Sequence, residues 1–243
     1  MSPHSIISDR LAVIRQRIDS ACLRVGRDPS EVTLVAVSKT FPFGCIQEAI
    51  SAGQLDFGEN YLQDCLKKIA LADEQALSSS LRWHFIGHLQ KNKARFLDFR
   101  FYLFHALDSL DLANRLNRLA LKGGYCLDVL VQVNLSREET KSGIVSDQLF
   151  EFIRQLNSLP GLGVRGLMTI PPPASNPEDN RIWFTQLHDL LILAQRQLAL
   201  DTSLFNQLSM GMSVDFEVAI EEGATLIRVG SAIFGPREHS AKK

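Results

Sequence analysis

The sequence is short of most features that would announce a partner or a compartment. Its four cysteines, Cys22, Cys45, Cys65 and Cys126, stand far apart, with no CxxC and no metal-ligand pairing. Reduced thiols in a cytoplasmic protein are the simplest account. The six histidines include no HExxH pair, so no metal is expected. Lys and Arg number 26 against 27 Asp and Glu, and a net charge of −1 supplies no footprint for nucleic acid or anionic lipid. Lys91, Lys93 and Arg95 form a local basic cluster that reads as a solvated helix face. No apolar run approaches the ~20 residues of a membrane span. The start, Met1-Ser2-Pro3-His4-Ser5, has no basic stretch leading into an apolar core, so no signal peptide is expected.

What is present is an ordinary globular composition, 45% apolar in 243 residues, enough for one large domain over 1–243 with an ample core. Short β-rich runs alternate with amphipathic segments and no marked linker interrupts them. Candidate strands fall at 33–39, 55–60, 83–88, 101–107, 127–134, 164–170, 205–211 and 225–230. Several are near-continuous apolar runs, such as Val129-Leu130-Val131-Gln132-Val133, which suits parallel strands buried on both faces. The Phe-rich run 101–107 is also compatible with a helix.

Helical spacing appears between them. Ile46, Ala49 and Ile50 share a face before Gly53, and Leu110, Ala113, Leu116 and Leu119 recur before Gly123-Gly124. Phe150, Ile153, Leu156 and Leu159 precede Pro160-Gly161, and a longer striped helix spans 182–198. One extra helix, marked by Ile6, Val13, Ile14 and Ile18, precedes the first strand. The pattern predicts an α/β fold, a (β/α)8 TIM barrel, ahead of an open doubly wound sheet. The latter would want a GxGxxG turn after its first strand, and there is none.

Chemistry in such a barrel sits at the C-terminal ends of strands. There the sequence places Lys39, Glu59-Asn60, Gly87-His88, Asn134, Met168-Thr169, Ser209-Met210-Gly211 and Arg228-Val229-Gly230-Ser231. Desolvation at a strand lip would favour the neutral amine of Lys39, a nucleophile suited to an aldehyde; a snorkelling lysine is the structural alternative. Asn60 and His88 suit loop capping as well as ligand contact. The small residues after strands seven and eight let backbone N–H groups approach an anion, although glycine and serine also fill turns. An imine-forming lysine and a phosphate cup in one mouth point to pyridoxal 5′-phosphate (PLP). Strand alternation puts Arg228 and Gly230 on one side, so Arg228 would donate to the pyridine nitrogen; a salt bridge in the barrel wall is the alternative.

Segments along the whole chain then resemble one family. They include Val35-Ala36-Val37-Ser38-Lys39-Thr40, Phe57-Gly58-Glu59-Asn60-Tyr61 and Trp83-His84-Phe85-Ile86-Gly87-His88-Leu89-Gln90. Lys141-Ser142-Gly143, Gly166-Leu167-Met168-Thr169-Ile170, Leu208-Ser209-Met210-Gly211-Met212-Ser213 and Ile227-Arg228-Val229-Gly230-Ser231-Ala232-Ile233-Phe234-Gly235 continue the match. Together these resemble the pyridoxal phosphate homeostasis proteins, relatives of the N-terminal barrel of alanine racemase. The resemblance implies a fold-type III barrel with PLP as a Schiff base on Lys39 and Arg228 at the pyridine nitrogen. It further implies Ser209, Gly230 and Ser231 at the phosphate, with Asn60, His88 and Met210 lining the pocket. Two positions depart from it. Ser231 replaces a common threonine but keeps the hydroxyl, and Val214 leaves a helix start after Ser213 poorly capped.

Racemisation needs a proton donor and a proton acceptor on opposite faces of the substrate α-carbon. In alanine racemase, the resemblance implies, a tyrosine from a second domain of the partner subunit serves the other face. Only 236–243 follow the last motif here, and Tyr61, Tyr102 and Tyr125 show no claim to that role. The expectation is a monomeric, cytoplasmic, non-catalytic protein that buffers PLP or delivers it to apo-enzymes. A weak racemase with Lys39 as sole base is the alternative, and a barrel enzyme acting on a phosphorylated metabolite a remote third.

Overall fold

The computed structural model describes residues 5–236 apart from Glu139. The readings of a start without a leader and of a short tail fall on 1–4 and 237–243, outside those residues. Eight parallel strands close into a barrel in which each pairs with its neighbours in chain order. They are β1 (Thr33–Val37), β2 (Asp56–Glu59), β3 (Arg82–Phe85), β4 (Phe101–Leu107), β5 (Leu127–Gln132), β6 (Leu162–Met168), β7 (Gln207–Ser209) and β8 (Leu226–Val229). Closure comes from β1 lying beside β8, with Thr33, Leu34, Val35 and Ala36 opposite Leu226, Ile227, Arg228 and Val229. The Phe-rich run 101–107 is a strand over its whole length. Phe85 stacks on Phe104 at 5.8 Å, so the aromatic density fills the core rather than coiling into a helix.

The helices are α1 (Ile6–Arg24), α2 (Phe43–Ser51), α3 (Leu62–Glu74), α4 (Leu110–Gly123), α5 (Leu149–Leu156), α6 (Arg181–Gln197), α7 (Phe216–Glu221) and α8 (Ser231–Phe234). Their ends follow local rules. Ser109 caps α4 by accepting from Leu112 N–H, and Gly124 ends it in the left-handed region at φ 70°. One face of α4, Leu112, Ala113, Leu116 and Ala120, is buried. Between β3 and β4 the basic cluster lies on a 3-10 segment, Lys91–Phe96, in place of a longer α-helix.

The predicted extra helix, α1, buries Leu11, Ile14, Ile18 and Ala21. It packs on α2, α7 and α8 and so straps the β1–β8 seam from outside. Arg17 and Arg24 pair with Glu217 and Glu221 across that contact, each at 2.6 Å. No helix among the described residues is long and apolar enough to cross a membrane.

Candidate functional site

A cavity of about 290 Å³ opens at the C-terminal mouth, over the β1–β8 seam. Five of the eight predicted site residues line it: Lys39, Asn60, Arg228, Gly230 and Ser231. Lys39 lies two residues beyond β1, half-buried, because the chain leaves the barrel at Ser38. The next residue, Thr40, takes a left-handed φ of 70°, which turns the backbone sharply toward α2. Asn60 is brought to the wall by the close approach of the β2 and β3 ends. A Cβ at Gly87 would sit 2.1 Å from the Asn60 carbonyl oxygen, so this crossing needs glycine.

Arg228 is buried on β8. Its Nη1 donates to Ser209 Oγ at 2.7 Å and its Nη2 to the Thr169 carbonyl at 2.9 Å. Burial lowers its pKa to about 10, so the guanidinium stays protonated at neutral pH. Of its five N–H donors, those two hold it to the wall and the rest are available to the cavity it lines.

The other end of the cavity is built for an oxygen-rich group. The Gly230 N–H donates to Ser213 Oγ at 3.2 Å and the Ala232 N–H approaches the same oxygen at 3.5 Å. Two backbone donors thus converge on one hydroxyl beside Ser231. A Cβ at Gly230 would press to 3.2 Å from the Val37 carbonyl oxygen, a tight fit that the seam could accept only by shifting a few tenths of an ångström. Ser213 was part of the predicted loop signal but not of the predicted site. The expected helix start after Ser213 lies further on. The chain caps itself through Asp215, whose Oδ1 accepts from Met212 N–H at 2.6 Å, and α7 begins at Phe216. Val214, 66% exposed, is free of any capping duty there.

The remaining predicted residues stand elsewhere. Met210 is fully buried and off the cavity. Ser209 is also buried, its hydroxyl lodged between Arg228 and His105 rather than beside Gly230 and Ser213. His88 lines a neighbouring cleft of about 470 Å³ that shares Asn60 as a wall, with its Nδ1 3.7 Å from the Asp108 carboxylate.

Two buried polar systems behind the cavity escaped sequence reading. At the end of β2, Glu59 Oε1 accepts from Lys68 Nζ at 2.5 Å and from Ser38 Oγ at 2.6 Å. Lys68 also donates to the Ser38 carbonyl at 2.8 Å, which anchors the residue before Lys39. Burial raises the Glu59 pKa, and the charge of Lys68 opposes that. The second system starts at the opposite end of the barrel. Arg82 grips Asp56 through two hydrogen bonds of 2.6 and 2.5 Å. Asp56 Oδ1 lies 3.0 Å from His84 Nε2, His84 Nδ1 lies 2.9 Å from His105 Nε2, and His105 Nδ1 lies 2.8 Å from Ser209 Oγ. A histidine inside an apolar strand run was the available signal, because a buried imidazole needs partners.

Burial pushes the pKa of His84 down and that of His105 well down. Above the unfolded value near 6.5 both states are neutral and stability is independent of these rings. Below it, only the unfolded chain takes up the protons, so stability falls as pH falls. Denaturant unfolding at about pH 5.5 should show roughly 1.4 kcal/mol less stability from His105 than at about pH 7.5, and up to as much again from His84. A His105→Phe variant should have a shallower acid slope. An unchanged slope would mean that the ring is charged in the folded state.

Among the described residues no group of three His, Cys, Asp or Glu side chains is placed to hold a metal ion. Comparison with known proteins sharpens the assignment. The family described as alanine racemase, N-terminal domain, matches residues 11–238. A Pseudomonas aeruginosa protein named pyridoxal phosphate homeostasis protein is 44% identical over 238 residues, covering 98% of this chain and 98% of the relative. The chain belongs to the pyridoxal phosphate homeostasis protein family. A solved homologue, PipY of Synechococcus elongatus with PLP bound, superposes with a TM-score of 0.80 at 37% identity, covering 94% of this chain and 100% of PipY. Alanine racemase of Corynebacterium glutamicum shares the fold, with a TM-score of 0.68 at 14% identity over 98% of this chain and 62% of the racemase. The homeostasis proteins match along their full length, whereas the racemase extends well beyond the shared barrel.

Proposed function

We propose that this protein binds PLP at the barrel mouth and stores it for other proteins without turning over an amino acid. One observation carries the second half of that reading. Among the described residues lining the cavity, Lys39 and Arg228 are the only titratable side chains. Racemisation asks for a second proton donor opposite the lysine, and the rest of the lining includes Ile86, Ile170, Met212, Val214 and Asn60, none of which titrates.

The donor set supports the first half. Bound PLP supplies a reactive aldehyde and an electron-withdrawing ring. The Lys39 amine lines the cavity and serves in this reading as the nucleophile that bonds the aldehyde carbon. Arg228, protonated and fixed by Ser209 and Thr169, donates to the ring nitrogen and so keeps a proton off it. Gly230 and Ser231, with the missed Ser213, offer backbone and hydroxyl donors to the phosphate. The cavity lies near the lower end of the ~300 Å³ range of small-molecule pockets, which suits one small cofactor.

The four free cysteines support residence in the reducing cytoplasm. Delivery to apo-enzymes and a monomeric state complete the proposal. Incubating PLP-loaded protein with L-alanine in deuterated water tests it. The expected result is one PLP per chain, no D-isomer and no α-proton exchange above free PLP. Efficient exchange with D-alanine formation would establish a racemase instead.

A further inference from the structure

The buried line from Asp56 to Arg228 has a direction set by its ends. Asp56, a carboxylate held by Arg82, can only accept; Arg228, a guanidinium, can only donate. Asp56 therefore takes the His84 Nε2 proton, which leaves His84 Nδ1 an acceptor. His105 must donate from Nε2 to His84 and accept at Nδ1 from the Ser209 hydroxyl, the donor among the described residues that reaches it. That hydroxyl in turn accepts from Arg228. Every proton points from the cavity toward Asp56, and each neutral ring is locked in one tautomer.

The backbone is shaped for this contact. Trp83 pairs with Phe101 but His84 with Leu103, so β4 carries an extra residue, Tyr102, beside His84. The bulge re-aims the local side chains, and the Tyr102 ring meets His84 edge-on at 5.3 Å. Asp56 and Arg82 are the first residues of β2 and β3, so the line runs from the N-terminal end of the barrel to the mouth.

We propose that Ser209, His105 and His84 are positioning residues that hold Arg228 in the orientation needed to meet a pyridine nitrogen. A hydroxyl polarised by the chain behind it is a stronger acceptor than an isolated one. It pins one edge of the guanidinium and leaves the other directed into the cavity. The predicted phosphate contact of Ser209 is thereby replaced by a role exerted through Arg228. The inference rests on the PLP reading above and assigns these residues no contact with the cofactor.

The test compares PLP with its deaza analogue, in which a ring C–H replaces the pyridine nitrogen, in equilibrium titrations of Ser209→Ala, His105→Phe and His105→Gln. Ser209→Ala and His105→Phe should each weaken PLP binding about tenfold, the scale of one hydrogen bond to a charged group. The Ser209→Ala/His105→Phe double variant should be no weaker than either single, because both cut one chain. His105→Gln, whose amide can restore one of the two links, should recover part of the loss. The deaza analogue should bind all four variants as it binds the wild type. Equal losses for PLP and the analogue would overturn the inference and make the chain a packing feature only. No loss for Ser209→Ala, the variant least able to disturb folding, would overturn it as well. Failure of the wild type to bind PLP would instead refute the function proposed above, so the two failures are distinct.

Discussion

Lys39→Ala should abolish covalent retention of PLP while leaving the barrel folded. Borohydride reduction of loaded wild-type protein should add one cofactor mass to the peptide carrying Lys39, and the variant should add none. Equilibrium affinity should fall at least about a hundredfold, or about 2.7 kcal/mol, since only non-covalent contacts from Arg228, Gly230 and Ser231 would remain. The fold should be nearly indifferent. Lys39 is half-buried on the turn after β1, and substitutions away from the packed core usually change stability by under about 1 kcal/mol. Lys39→Arg separates charge from nucleophilicity. It keeps the cation yet has no amine to bond an aldehyde, so it should fail in the same way. A reduced adduct on a different lysine would show that the amine at the β1 lip is not the one used.

The second large effect concerns Glu59 and Lys68. Lys68→Met should destabilise the protein by about 3–5 kcal/mol, because it strands a buried carboxylate without its counter-ion. For a chain of this size that corresponds to a fall of roughly 6–20 °C in Tm. Burial already raises the Glu59 pKa, so without Lys68 the stranded carboxyl should take up a proton more readily, and the loss should shrink as pH is lowered. A double variant, Lys68→Met with Glu59→Leu, should recover most of the stability, since replacing both members of a buried pair with apolar groups is often neutral. PLP affinity should not recover with it. Lys68 Nζ also holds the Ser38 carbonyl, and without that bond the backbone leading into Lys39 is less firmly placed. Calorimetry beside PLP titration would separate the two. Recovery of both together would mean that the pair serves the fold alone.

Much of this architecture was legible in the sequence, and the reasons are physical. Parallel strands buried on both faces leave apolar runs, and helices leave stripes at 3.6 spacing, so alternation points to a parallel α/β fold and the missing GxGxxG turn favours the barrel over an open sheet. The N-terminal helix and the full extent of 101–107 were placed correctly. Strand ends were not. The predicted strands run on through Ser38, Asn60, Gly87 and Ile170, but the ladders stop at Val37, Glu59, Phe85 and Met168, because the mouth is where the chain leaves the sheet. At β7 the error lay at the entry: Phe205 N–H donates to Asp201 in a turn, and the strand begins only at Gln207.

The site divides the same way. Lys39, Arg228, Gly230 and Ser231 were readable because they sit at strand ends in small-residue loops. His105 and Ser209 are 104 positions apart and meet only through closure of the barrel. A period of two assigns a side chain to a face of its strand but does not name its neighbour across the lumen. Glu59 and Lys68 are hidden for a related reason: a strand end meets the helix after it at an angle that spacing does not encode.

The strap of α1 over the β1–β8 seam has one more consequence. Every other strand pairing joins neighbours in the chain, so they bring together short stretches of sequence. Only the seam requires the two ends of the protein to find each other, and such non-local contacts are the slow ones. Lys39 approaches the cavity from one side of that seam, Arg228 and Gly230 from the other. The candidate site therefore is not assembled until the circle is complete. A ligand lodged there acts as a rivet between the first strand and the last, and its affinity adds to the free energy holding the ring shut. On the proposed function, cofactor binding and barrel closure are linked equilibria, each favouring the other.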